Sequence, residues 1–159
     1  MTNTDIRALR NSFLEFCQNR HWNSPHAVTL THRQVRFDNG GRVGLTQLLA
    51  QQNLRHFLNV LHMRLRRYGL GRRTRLSCVP IFEGGDVVRK HIHLMLDKPA
   101  GIDEIEYAAL IQLEWSRTTW GYEHTQVDPC YDSDGWLGYI SKLRTKDEFA
   151  DAIDWTNFN

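Results

Sequence analysis

Apolar side chains recur along this chain at two spacings, and each spacing predicts a different kind of element. Apolar residues at every third or fourth position are typical of amphipathic helices, which we predict at 4–19, 45–68 and 103–117. Short apolar runs between Gly, Pro, Asn or Ser are typical of strands, which we predict at 26–34, 75–83, 90–96 and 122–127. The order of these elements predicts an α+β fold, with a central antiparallel sheet, flanking helices on one face and the other face open.

Turn and cap residues support several of these boundaries. The Asp-Asn-Gly-Gly run at 38–41 predicts a turn, and Gly69 and Gly71 end the second helix. Asp103 can cap the third helix, with Glu106 at the capping-box position. A further short helix is expected to follow the Asp-Gly pair at 134–135.

The composition is that of a globular domain. With 159 residues the chain is long enough to bury a core, and we predict one domain covering 1–159. No apolar run approaches the length of a membrane span, and no signal-peptide pattern opens the sequence, so no membrane partner is expected. Cys17, Cys78 and Cys130 form no CxxC pair, which favours free thiols in a reducing compartment.

The net charge of +2 does not by itself indicate a nucleic-acid partner, but the basic residues are unevenly distributed. Six arginines fall within twelve residues, with no acidic residue among them: Arg64, Arg66, Arg67, Arg72, Arg73 and Arg75. Guanidinium forks match phosphate geometry, so this arginine cluster favours contacts to a DNA backbone. The alternative is a solvated helix end whose cations interact with the helix dipole.

Two histidines flank an isoleucine in a predicted strand, at His91, Ile92 and His93. Because side chains alternate along a strand, both imidazoles point to one face while Ile92 and Leu94 point into a core. Two imidazoles and a carboxylate, for which Glu83 is the candidate, make a three-ligand metal site with open positions. These donors suit one divalent ion, with Mn²⁺ or Mg²⁺ expected and Zn²⁺, Co²⁺ or Ni²⁺ also compatible. The alternative is a pair of hydrogen-bonding histidines on a surface strand.

The metal site depends on how the two strands around 84–90 pair. If Glu83 lies opposite His91 or His93, all three side chains share a face. A tighter hairpin, with Glu83 opposite Val87, would instead leave the carboxylate on the order of 13 Å from the position that pairs with His91. That register would defeat the site.

Tyr139 and Lys142 are three residues apart, which places them on one face of the last predicted helix. A protonated tyrosine is a poor nucleophile, and a nearby ammonium and divalent cation favour its phenolate. The pair therefore predicts a phosphoryl nucleophile with a charge partner. The alternative for Tyr139 is a packing role in an amphipathic helix, and the alternative for Lys142 is an ordinary solvated lysine on that helix. Trp136, Ile140 and Leu143 lie on a neighbouring stripe, which favours docking of this helix on the core.

These motifs, in this order, resemble those of the HUH endonucleases, and most closely the rolling-circle replication initiators of small viruses, phages and plasmids. The first motif of that family is matched by Val28-Thr29-Leu30-Thr31. The second is matched by His91-Ile92-His93, with Glu83 at the spacing of the third ligand, and the third by Tyr139 and Lys142. Relaxases of the same superfamily place the tyrosine before the histidines, so the chain order argues against that branch.

The resemblance spans about 25–143 and implies a ferredoxin-like or RRM-like sheet of about five strands. It implies nicking and joining of single-stranded or hairpin origin DNA through a 5′-phosphotyrosine link, to initiate rolling-circle replication. The expected location is the cytoplasm of a bacterial host, or the nucleus of a eukaryotic one. Because the sequence has no G-x-x-x-x-G-K-[ST] stretch, we expect no helicase domain in it. Unwinding is then expected from a host helicase, or the chain is a piece of a longer protein.

Two other functions fit parts of the pattern. A single-strand transposase with one tyrosine would use the same chemistry for a different task. A non-catalytic RRM-like module would bind nucleic acid through stacking aromatics on open strands. Trp115 and Trp120 are candidates for such stacking, although core packing is the better interpretation of both. The remaining histidines have no ligand spacing and are assigned no metal role.

Overall fold

The computed structural model describes residues 2–85, 88–142 and 149–159. Its helices are α1 (Asn3–Gln18), α2 (Gln47–Leu65), α3 (Glu104–Ser116), α4 (Ser133–Ile140) and α5 (Phe149–Ala152), with a 3-10 turn at Arg66–Tyr68. Its strands are β1 (Pro25–His32), β2 (Val35–Asp38), β3 (Gly41–Gly44), β4 (Cys78–Glu83), β5 (His91–Asp97) and β6 (Gly121–Pro129). The three longest helices therefore lie where the apolar spacing predicts them.

Four strands form an antiparallel sheet in the order β4-β5-β1-β6. The remaining two, β2 and β3, form a separate hairpin whose turn coincides with the predicted Asp-Asn-Gly-Gly run. The prediction of an α+β fold with an antiparallel sheet is confirmed. The main sheet holds four strands in the described part of the chain, where we expected about five.

One face of the sheet, which we call the back face, packs against α2 and α3. Ile92, Leu94 and Leu96 of β5 point to this face and are fully buried, as their alternation predicts. Trp115 and Trp120 are buried in the same core, which confirms packing rather than base stacking as their role. The side chain of Asp103 caps α3 by accepting a hydrogen bond from the backbone N–H of Glu106.

The opposite or front face is not fully open, so the prediction of helices on only one face is wrong. Val79, Ile81 and Met95 point to the front face and are buried by side chains of α1, α4 and α5. The physical reason lies in β4, where a continuous apolar run has to be covered on both faces. The β1–β6 half of the front face stays accessible, with Thr29 half-buried and Gln126 exposed.

The cysteines match their predicted state. Cys17, Cys78 and Cys130 are all free, and burial raises the pKa of the Cys17 thiol to about 12. A buried thiol with a raised pKa is protonated and unreactive at neutral pH. Among the described helices, none is long and apolar enough to cross a bilayer.

Candidate metal and tyrosine site

Strands β4 and β5 pair in the register that the metal site requires. Glu83 lies opposite His91, and Ile81 lies opposite His93, so the tighter hairpin is excluded. Gly84, which directly follows β4, has a φ of +99°, a conformation that favours glycine. A Cβ at Gly84 would also lie 2.6 Å from the carbonyl oxygen of Arg89, so any other residue there would shift the connection between the strands.

The three candidate ligands converge on the front face. Ligand atoms of Glu83, His91 and His93 all lie within 4.8 Å of one another. Nε2 of His93 is 3.4 Å from Oε2 of Glu83, and these two side chains are largely shielded from solvent. No other group of three such side chains was found in the described ranges. Glu83, His91 and His93 could therefore hold a metal ion.

Hydrogen bonds to the other ring nitrogens orient both imidazoles. Nδ1 of His91 is 2.8 Å from the carbonyl oxygen of Arg89, which can only accept, so the neutral ring carries its proton on Nδ1. Nδ1 of His93 is 3.0 Å from Oγ1 of Thr29. Both contacts leave Nε2 as the atom available to a metal, an arrangement common to histidine ligands. The donor set and its hydrogen bonds thus fit a divalent cation.

Thr29 belongs to the candidate site through a contact with His93 that the sequence analysis did not predict. It belongs to the Val28–Thr31 motif in β1, where Thr29 pairs with His93 and Thr31 with His91. Its neighbours Val28 and Leu30 point to the opposite face and are fully buried. The alternation of polar and apolar residues in this motif was the available signal, but the contact with His93 depends on a register that the sequence does not specify.

Tyr139 lies in α4 beside the candidate ligands, whereas Lys142 lies two residues past the last residue of this helix and not on its face as predicted. The Tyr139 ring centroid is 5.9 Å from that of His93, and the side chain is 50% exposed, so a large substrate can reach it. Nζ of Lys142 lies 4.1 Å from the Tyr139 ring centroid and 3.3 Å from Oε1 of Glu83. The lysine therefore connects the tyrosine with the carboxylate ligand.

Trp136 fixes the position of this helix against the sheet. Its indole N–H donates to the carbonyl oxygen of Leu94 at 3.2 Å, and its ring stacks on Tyr139 with centroids 5.5 Å apart. The same indole meets His93 edge to face. Ile140 is fully buried, which agrees with its predicted docking role, whereas Leu143 lies outside the described residues.

Arg10 of α1 is a second residue that the sequence analysis missed. Its guanidinium donates to the carbonyl oxygens of Gly138 at 3.0 Å and Ser141 at 2.8 Å. These carbonyls lie at the C-terminal end of α4, where helix carbonyls lack partners within the helix. Arg10 therefore anchors the end of the helix that carries Tyr139, through contacts that no local pattern reveals.

The arginine cluster is not brought to the metal ligands. Arg64 pairs with the buried Glu114 at 3.1 Å, and Arg67 lies over the ring of Tyr68. The members nearest β4 line a cavity beside its first residue: Arg72, Arg73 and Arg75. Cys78 and Glu83 mark the two ends of β4 and are about 17 Å apart at roughly 3.3 Å per residue.

Other basic side chains lie nearer to the metal ligands. Arg33, Arg89 and Tyr122 line a depression of about 490 Å³ beside the start of β5. The guanidinium of Arg89 lies 4.2 Å from the centroid of the Tyr122 ring. The sequence analysis did not select these residues, because they come from three separate segments and are adjacent only after the sheet forms.

Comparisons with protein-family models, with curated proteins and with solved structures gave no match to this chain. The fold and the site define an α+β protein with a candidate three-ligand metal site beside a tyrosine and a lysine. The resemblance to the HUH endonucleases continues to depend on the motif residues alone.

Proposed function

We propose that this protein is a metal-dependent endonuclease that nicks and rejoins single-stranded DNA through a covalent link to Tyr139. The observation that supports the proposal most directly is the placement of Tyr139 and Lys142 against Glu83, His91 and His93. A hydrolase that activates water needs no tyrosine at this position, and a binding module needs no set of converging ligands.

In the proposed reaction, the phenolic oxygen of Tyr139 attacks the phosphorus of a phosphodiester. The bond from phosphorus to the 3′ oxygen breaks, the 5′ side becomes a phosphotyrosine ester, and the proton lost by the phenol ends on the released 3′-OH. Attack by a 3′-OH on this ester reverses the step and rejoins a strand. The number of phosphoester bonds is conserved, so the cycle needs no external energy source.

The surrounding side chains have separate tasks in this scheme. A divalent cation held by Glu83, His91 and His93 would supply Lewis acidity at the scissile phosphate. Lys142 places a positive charge beside the Tyr139 ring, where it would offset the negative charge that develops on the attacking oxygen and the phosphate during the reaction. Trp136 restricts the orientation of Tyr139 by stacking on it.

The proposed biological task is initiation of rolling-circle replication at a single-stranded or hairpin origin, with a host helicase for unwinding. The order of the histidine and tyrosine motifs supports this task over conjugative relaxation. The accessible β1–β6 half of the front face, which includes Thr29 and Gln126, gives a strand room to approach the tyrosine.

The test is covalent capture of DNA. The protein is incubated with a library of single-stranded oligonucleotides and Mn²⁺, and the attached DNA is sequenced. We expect a slower-migrating adduct that Tyr139→Phe abolishes while metal binding is retained. Tyr131→Phe is the matched control, because Tyr131 is 95% exposed, lies just before α4 and has no role in the scheme.

Two results would contradict the proposal. An adduct that persists in the Tyr139→Phe protein would place the nucleophile elsewhere. Cleavage by the wild-type protein without any adduct would indicate attack by water.

A further inference from the structure

A cavity of about 500 Å³ lies at the end of β4 that is remote from Glu83. Its lining side chains include basic residues from two parts of the chain: Arg55, His62, Arg72, Arg73 and Arg75. Among the residues that the structure describes, no aspartate or glutamate side chain lines this cavity, and none of its four arginines forms an ion pair. The described part of the cavity wall therefore concentrates positively charged side chains without an acidic side chain among them.

The fold holds the walls of this cavity in place. Arg55 and His62 are seven residues apart on α2, so they lie two turns apart on the same face of that helix. On the other side, Asn159 exchanges two backbone hydrogen bonds with Cys78 at 2.7 and 2.9 Å. The amide of Asn157 donates to Asp154 at 2.6 Å and to the carbonyl oxygen of Gln51 at 3.0 Å.

The chemistry of this lining favours a phosphate diester as ligand. Guanidinium groups bind phosphate oxygens through paired N–H donors, and a cation or an apolar ligand would gain nothing from four unpaired arginines. We infer that this arginine cavity binds the backbone of the DNA substrate at a point remote from the cleavage site. The inference rests on the proposed function, because that function supplies DNA as the ligand.

The geometry separates this contact from the cleavage site by a minimum length of DNA. The cavity lies at the Cys78 end of β4, and the rise of this strand separates that end from the candidate ligand Glu83 by about 17 Å. At about 3.4 Å per nucleotide along one duplex strand, this span corresponds to about five nucleotides. An oligonucleotide that extends only two or three stacked nucleotides from the cleavage site falls short of this span.

The test compares a short and a long oligonucleotide around the cleavage sequence obtained from covalent capture. The short one extends about three nucleotides from the cleavage site in each direction, and the long one extends about twelve. These lengths lie below and above the roughly five nucleotides that correspond to the span. Binding is measured by fluorescence anisotropy across a salt series with chelator present, so that cleavage does not contribute. The cavity variant is Arg73→Gln/Arg75→Gln. The matched control is Arg66→Gln/Arg67→Gln, which removes two arginines of the same cluster that do not line the cavity.

We expect the cavity variant to reduce the slope of log K against log salt by about 1.4 for the long oligonucleotide, at about 0.7 per lost phosphate contact. The short oligonucleotide and the control variant should keep the wild-type slope. Equal slopes for the cavity and control variants, or an equal loss on both oligonucleotides, would overturn the inference.

If the wild-type protein captures no DNA, the proposed function fails. Unselected long oligonucleotides then test the cavity, and a wild-type slope in its variant would overturn the inference as well.

Discussion

The two faces of β5 differ in chemistry and in what they pack against. Ile92 and Leu94 point to the back face, where both are fully buried in an apolar core built with α2 and α3. His91 and His93, which alternate with them, point to the front face beside Glu83 and the tyrosine helix. One strand of seven residues thus contributes to the core and to the candidate site at once.

Because the histidines of β5 point away from the apolar residues that alternate with them, the polar site does not interrupt the apolar core of the back face. The back face supplies a continuous apolar surface, whereas on the front face the buried apolar cluster begins at Ile81, directly opposite His93, and continues to Val79 and Met95. Substitutions on the two faces should therefore have separable effects, with loss of activity on the front and loss of stability on the back.

The sharpest test of the front face is the double substitution His91→Ala/His93→Ala. We expect it to abolish metal binding and to reduce nicking by at least about a hundredfold, because metal charge stabilisation is worth several kcal/mol. Adduct formation with the captured oligonucleotide measures the rate, and circular dichroism checks that the variant is folded. Nicking at the wild-type rate, or insensitivity of the wild-type protein to chelator, would remove the metal from the mechanism.

The matching test of the back face is Leu94→Ala. We expect the free energy of unfolding to fall by about 2–5 kcal/mol, because truncation leaves a cavity in a fully buried core. Denaturant unfolding measures the loss, and metal affinity below the transition should stay at the wild-type value. Leu113→Ala is the control, since Leu113 is exposed on α3 and its truncation should cost less than about 0.5 kcal/mol. Equal losses in the two variants would contradict the contrast between the faces.

The buried His32 on the back face predicts that the free energy of unfolding depends on pH. It is fully buried, and burial lowers the pKa of its imidazole to about 4. Between pH 6.5 and 4 the unfolded chain binds a proton that the folded chain does not, so stability falls as the pH falls, by up to about 3 kcal/mol. His32→Phe should lack this loss when unfolding is compared at pH 7 and pH 4.5, while His56→Gln, at an exposed position, should retain it.

A smaller effect is expected at Thr29, because its hydroxyl orients the ring of His93, one of the candidate ligands. Thr29→Val removes the hydroxyl that contacts Nδ1 of His93, and loss of such a partner typically weakens metal binding about 10–100-fold. Calorimetric titration with Mn²⁺ measures the change. Thr31→Val is the control on the same face, because the Thr31 hydroxyl donates to the backbone of His124 and not to a ligand. Equal affinities for the two variants would assign Thr29 a packing role only.

The local patterns of the sequence were sufficient to predict most elements and the three converging side chains. The two-residue period of β5 and one pairing register with β4 place Glu83, His91 and His93 together, and both are short-range properties of residues 83–93. The coverage of the front face was predicted wrongly, although the run from Val79 to Phe82, apolar at every position, indicated a strand buried on both sides.

The residues that were missed make contacts over long stretches of sequence. Thr29 is 64 residues from His93, and Arg10 is 128 residues from Gly138. The depression beside Arg33, Arg89 and Tyr122 likewise draws on three distant segments. Such contacts depend on the completed tertiary structure, and neither spacing nor composition specifies them.

The contacts of Arg10 also determine the order in which the site can assemble during folding. The candidate metal ligands lie in one pair of adjacent strands, whereas the end of α4 is held by a guanidinium from the first helix, 128 and 131 residues away. Contacts between residues close in sequence form sooner than those that must close a long loop. The two strands that carry the candidate ligands can therefore pair before Tyr139 is fixed, so under the proposed function the DNA-cutting activity would arise only after the N-terminal helix has docked.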